Sequence, residues 1–135
     1  MSPNVKRLKF VWAATGAFFV ALGIAVGAVG VHVLESRGMV EGAGRWDLAG
    51  QYAVLMGLGL IALTSLRLAK EGLGRAWPEV CLVLGVLGFS GGLLWKGIFP
   101  ESIVGQVIPV GGVILIVGWM WAGIQIIALA RLSPS

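Results

Sequence analysis

The sequence predicts an all-α integral membrane four-helix bundle with both termini on the cytoplasmic side. Three observations carry this. Of 135 residues, 58% are hydrophobic and 12% charged, with a mean hydropathy of +0.95, whereas soluble domains carry roughly 25% charged residues. Four apolar runs are long enough to cross a bilayer. Twenty-two glycines in so apolar a chain also fit membrane helices, which tolerate glycine better than soluble ones.

The first helix is expected over residues 10–33. Its core, residues 10–31, holds no ionisable group and covers about 33 Å at the α-helical rise, enough for the hydrocarbon core. The second is expected over residues 48–66, closed by Arg67. The third, over residues 79–97, is shorter, and Trp77 and Trp95 mark its two interfaces. The fourth runs over residues 107–130 and is closed by Arg131. In lipid each run must satisfy its own backbone hydrogen bonds, which makes these runs helices. A β-barrel would need alternating strands, and none are visible. The connecting loops, residues 35–47 and 97–106 among them, are too short for a soluble domain, so residues 1–135 read as a single membrane domain.

Lys6, Arg7 and Lys9 precede the first run as they would in a signal peptide. The run is about twice a typical 7–15-residue signal core, so a retained anchor is expected. Lys6, Arg7, Lys9, Arg67, Lys70, Arg75 and Arg131 fall on one side, and Arg37, Arg45 and Lys96 on the other. The positive-inside rule therefore puts the termini and the middle loop in the cytoplasm and the protein in the inner membrane as a multi-pass chain. The net charge of +4 comes from scattered residues without an aromatic-interleaved groove, which argues against a nucleic-acid partner. The lone Cys81 excludes an intrachain disulfide.

Four short motifs are expected to converge on one outer layer of the bundle. Gly27, Gly30 and His32 end helix one, and Gln51 and Tyr52 open helix two. Ser90 and Gly91 lie in the outer half of helix three, while Pro109, Gly111 and Gly112 lie in the first turns of helix four. Together they form the candidate packing or binding cluster, and that reading requires Tyr52 and Ser90 at the level of His32. Gly23 and Gly27 form a GxxxG pair, as do Gly88 and Gly92, and Gly111 and Gly118 are a heptad apart. Close backbone approach through such residues is a main source of helix association in lipid.

Pro109 reads as an early-turn proline, and the Ser90 hydroxyl is expected to bond back to its own helix. Gln51, Gln106 and Gln125 lie near helix ends, with Gln125 deepest and placed to bridge helices. Of the six tryptophans, Trp119 is expected to pack inside the bundle. His32, the sole histidine, reads as an interfacial side chain. A haem or metal ligand would need a second His, Cys or Met nearby, and Cys81 is expected at the opposite face. No cofactor and no metal site are therefore expected.

At these motifs the chain resembles the YgdD family, small bacterial inner-membrane proteins grouped as a domain of unknown function. The carrying segments are ALGIAVGAVGVHVL, the stretch around Gln51 and Tyr52, LGFSGGLL and IPVGGVILIVGW. They span nearly the whole chain in order. The family pattern has a tyrosine–glutamine pair followed by a histidine in helix two. Aligned on Tyr52, that glutamine falls at Ala53 and that histidine at Met56. Ile108 stands where the family has threonine before Pro109, and Gly92 where it has a second serine. Each change makes the cluster more apolar. The surviving glycine and proline framework favours packing, and the family has no established reaction.

Three classes of function separate on these residues. An enzyme is not expected, because no Ser/His/Asp set, paired carboxylates, metal-spaced cluster or phosphate loop is present. Ion-coupled transport is disfavoured, since the acidic residues and His32 fall in loops or span ends, whereas coupling normally uses ionisable groups within spans. The reading that remains is a non-catalytic accessory or scaffold subunit packing in the lipid bilayer against other membrane subunits or its own copies. The alternative is a channel or transporter for a small neutral solute.

Overall fold

The structure is a computed structural model that describes residues 3–70 and 73–132. Four helical spans are long and apolar enough to cross a membrane. The first begins as α1 (Pro3–Ala25), passes through one π-helical turn (Val26–Gly30) and ends as α2 (Val31–Ser36). Glycines at 27 and 30 ease the wider turn, and Gly30 is buried flat against the Trp46 indole. The second span is α3 (Val40–Ala69) and the third α4 (Trp77–Ile98). A 3-10 turn (Ile103–Gln106) then leads into α5 (Val107–Leu132).

The spacing predicts a loop over residues 35–47, and here the structure differs. Only Arg37, Gly38 and Met39 separate α2 from α3. Gly38, at φ 74°, adopts the left-handed conformation that closes a Schellman turn. Its N–H donates to the Glu35 carbonyl (2.9 Å), and the Met39 N–H to that of Leu34 (2.9 Å). α3 then starts eight residues before the expected position 48, because tertiary contacts hold its polar first turns. Gly42 packs on the Gly97 backbone. Trp46 Nε1 donates to the Leu94 carbonyl (2.9 Å), and Arg45 Nη1 to that of Lys96 (3.2 Å). Arg45 also pairs with Glu41 one turn back, the spacing at which helical side chains meet.

α1 lies along α3, α3 along α4, and α4 along α5. The α1–α3 seam is reciprocal. A Cβ added at Gly16 would stand 2.6 Å from the Gly57 carbonyl oxygen, and one at Gly57 2.6 Å from that of Gly16. Gly23 and Gly50 repeat the arrangement one heptad away, at 2.6 and 2.7 Å. Backbones approach this closely only without side chains, and the approach supplies the dispersion contact that replaces hydrophobic drive in lipid. On the α4–α5 seam, a Cβ at Gly92 would meet the Ile108 side chain at 2.7 Å, and one at Gly118 the Cys81 Cβ at 2.8 Å. Leu63, Leu82, Val86 and Leu115 fill the buried core, with Phe19, Tyr52, Met56 and Phe89 packed against it.

Candidate functional site

The motifs of α3, α4 and α5 do meet. The Tyr52 and Phe89 rings lie 4.6 Å apart and tilted by 47°. Gly111 is buried against the Gly88–Phe89 backbone, and a Cβ at Gly112 would stand 3.6 Å from the Phe89 ring. Pro109 is the third residue of α5, continuous with the 3-10 turn, and is exposed. Gly91 is exposed with open space at its Cβ position. Gln51 is exposed and donates through Nε2 to Asp47 Oδ2 (2.9 Å) on its own helix.

Three expectations, on His32, Ser90 and Trp119, are corrected. The first concerns His32, which is not in this layer. The α1-side residues at that level are Gly23 and Gly27, and a Cβ at Gly50 would stand 3.2 Å from the Gly27 nitrogen. His32 lies five residues beyond Gly27, and Tyr52 two residues beyond Gly50 in the opposite sense. At 1.5 Å per residue the separation along the axis is about 10 Å. Gly30 belongs with Trp46 at an intermediate level. The antiparallel register, set by the glycine seam, decides this, and span boundaries alone could not reveal it. His32 itself is exposed.

The second correction concerns Ser90. It is 3% exposed, and its Oγ has no hydrogen-bond partner. The expected bond to its own helix is therefore absent. Trp119, expected inside the bundle, lies across α3 with its edge open. Its ring occupies the space beside Gly59, and Nε1 donates to Met56 Sδ (3.1 Å).

At the end of the bundle that carries both termini stands a polar centre that sequence reasoning missed. Arg67 and Glu79 each read as a charge closing a span, yet both are buried. The Arg67 guanidinium pairs with Glu79 and donates to the carbonyls of Leu73, Gly74 (2.9 Å) and Arg75 (3.0 Å). Gln125 does bridge helices as expected. It accepts from Arg67 Nη2 (2.8 Å) and donates to the Arg75 carbonyl (2.9 Å). The available signal was opposite charges bracketing a short connection that also carries Gly74 at φ 43°. No group of three or more His, Cys, Asp or Glu side chains comes together among the described residues.

Close glycine seams, four spans and a buried polar clamp define a small helical membrane protein. A family model described as "Protein of unknown function (DUF423)" matches residues 26–112. The chain is 31% identical to the UPF0382 inner membrane protein YgdD of Escherichia coli K12 over 131 residues, covering 96% of each chain. It is also 31% identical to the UPF0382 membrane protein YwdK of Bacillus subtilis over 106 residues, 78% of this chain and 86% of that one. A UPF0382 membrane protein of Staphylococcus saprophyticus is 31% identical over 105 residues, 78% of this chain and 87% of that one. No solved structure shows a significant match. The chain belongs to the DUF423 family and is a multi-pass inner-membrane protein.

Proposed function

We propose that this chain is a non-catalytic membrane subunit that docks another transmembrane helix on the outward face of α1. One observation carries the reading. Ala14, Ala17, Ala21 and Ala25 are all exposed. At 3.6 residues per turn they lie within an arc of roughly 80°, opposite the face that presents Gly16 and Gly23 to α3. Phe18, Leu22 and Ile24, each at least 60% exposed, flank the stripe. α1 thus has a small-residue seam on both faces, and α3 fills only one of them. Small residues in register, between ridges of large ones, let a second backbone approach.

In this reading both termini lie in the cytoplasm, and the Arg67 clamp holds the helices so that α1 presents a fixed surface. The experiment is cysteine cross-linking in native membranes from Ala17→Cys and Ala21→Cys, with Ile127→Cys on the exposed face of α5 as the control. A discrete product from the alanine positions, and none from position 127, is expected. Products of equal yield from all three positions, or none at all, would refute the docking face.

A further inference from the structure

The net charge of the chain is gathered at one end of the bundle. The end that carries both termini holds seven Lys and Arg residues against Glu71 and Glu79, while the opposite end holds three against four acids. The whole excess of +4 therefore sits at the first end. The clamp sharpens this imbalance. Glu79 is fully buried and paired with Arg67, so it screens no other cation. Arg7, Lys9, Lys70, Arg75 and Arg131 pair with no carboxylate among the described residues. Lys9 is half-buried and donates to the Arg67 carbonyl, and the other four are exposed. Arg67 and Gln125 hold Arg75 by its backbone carbonyl, which leaves its guanidinium outside the clamp.

Position selects the kind of partner. Lys9 directly precedes the apolar run of the first span, and Arg131 directly follows that of the fourth. Lys70 caps α3 four residues past Leu66, about 6 Å along the axis. These cations thus stand where the spans leave the hydrocarbon core, at the level of lipid phosphates. Long Lys and Arg side chains reach that level with their stems along apolar surface. Trp77, the first residue of α4, is 57% exposed and two residues from Arg75. An indole in that position is at home among headgroups.

Distribution points the same way. The five cations come from α1, α3, the connection to α4, and α5, not from one face. The connection itself is drawn in against the bundle, because the carbonyls of Leu73, Gly74 and Arg75 all accept from Arg67. A soluble acidic protein would need a charged face that projects beyond the lipid. A perimeter of cations at phosphate level matches surrounding headgroups instead.

We propose that this end of the bundle binds anionic phospholipid headgroups, whose phosphates pair with Lys70, Arg75 and Arg131. The attraction is electrostatic and contributes about fivefold in affinity per cation near the surface. It is independent of the docking face on α1, and of which side of the membrane this end faces.

Native mass spectrometry of the full chain in neutral detergent tests it. The readout is the ratio of first association constants for phosphatidylglycerol and for phosphatidylcholine with the same acyl chains. Wild type is expected to prefer phosphatidylglycerol by about fivefold or more, and less so as salt is raised. Lys70→Gln/Arg75→Gln/Arg131→Gln removes three exposed charges, leaves the clamp intact and is expected to bring the ratio close to about one. Arg37→Gln, at the opposite end, is expected to leave the wild-type ratio. Thermal unfolding midpoints establish that the variants fold, and the wild-type ratio stands without them. Equal constants in wild type, a preference that survives the triple substitution, or one lost equally in Arg37→Gln would overturn the proposal. Equal constants together with salt-sensitive binding of polyglutamate would assign this end to an acidic polypeptide and overturn it as well.

Discussion

Arg67 of α3 and Glu79 of α4 form a buried, two-pronged ion pair at the end of the bundle that carries both termini. Arg67 Nη2 lies 3.0 Å from Glu79 Oε2, and Nε donates to Oε1. The Arg67 backbone carbonyl in turn accepts from Lys9 Nζ of α1 (2.6 Å). With Gln125 of α5 on the same guanidinium, one residue ties together all four spans and the connection between α3 and α4. The five N–H groups of the guanidinium are shared among six acceptor oxygens, which satisfies a charge that would otherwise be prohibitive here.

Removing one partner leaves the other buried and unpaired. Glu79→Leu or Arg67→Met is therefore expected to cost about 3–5 kcal/mol, and the double variant Arg67→Met/Glu79→Leu distinctly less. Unfolding free energies in detergent, arranged as a double-mutant cycle, measure this. Additive losses would show that the pair is not coupled.

The reciprocal glycine seam predicts a position-dependent effect of one methyl group. Gly23→Ala and Gly57→Ala drive a Cβ into a facing carbonyl and are expected to cost about 1–3 kcal/mol, as overpacking does. Gly44→Ala and Gly123→Ala, where nothing stands within 4 Å of the added atom, are expected to leave stability unchanged or slightly raised. Thermal melts of the four variants separate a packed seam from a general intolerance of alanine.

The four apolar runs were legible because they lack ionisable residues, and the meeting of Tyr52 with Phe89 and of Gly111 with Phe89 accords with their alternating direction. The first turns of α3 were not legible. Glu41, Arg45 and Asp47 read as loop, and the contacts that make the segment helical, Gly42 on Gly97 and Trp46 on Leu94, join residues about fifty positions apart. His32 was misplaced for a related reason. Span ends fix depth only to a few residues, whereas the Gly16–Gly57 and Gly23–Gly50 contacts fix the register. Arg67 and Glu79 looked like interfacial charges because burial of an ion pair depends on where the connection folds. The outward alanines are visible in the sequence, but their exposure is known only once Gly16 and Gly23 have been placed against α3.

His32, exposed and away from the Tyr52 layer, is expected to be dispensable for the fold. His32→Ala should shift the unfolding midpoint by less than about 2 °C, as surface substitutions do. A large loss, or the disappearance of a haem absorption band on substitution, would restore it as a ligand.

The proposed orientation, with both termini in the cytoplasm, predicts a labelling pattern. Single cysteines at Arg37 and Glu101 are expected to react with an impermeant maleimide in intact cells. A cysteine at Arg75 should react only after the membrane is opened. The reverse pattern would invert the bundle and place the Arg67 clamp on the outer side.

The outward alanine stripe of α1 is tested most directly by the size of the species extracted from native membranes in mild detergent. Wild type is expected to run as a complex heavier than its 14.1 kDa chain plus micelle. The Ala17→Phe/Ala21→Phe variant should run as a monomer with an unchanged unfolding midpoint. A wild-type monomer, or a variant that keeps the wild-type size, would contradict the docking role of α1.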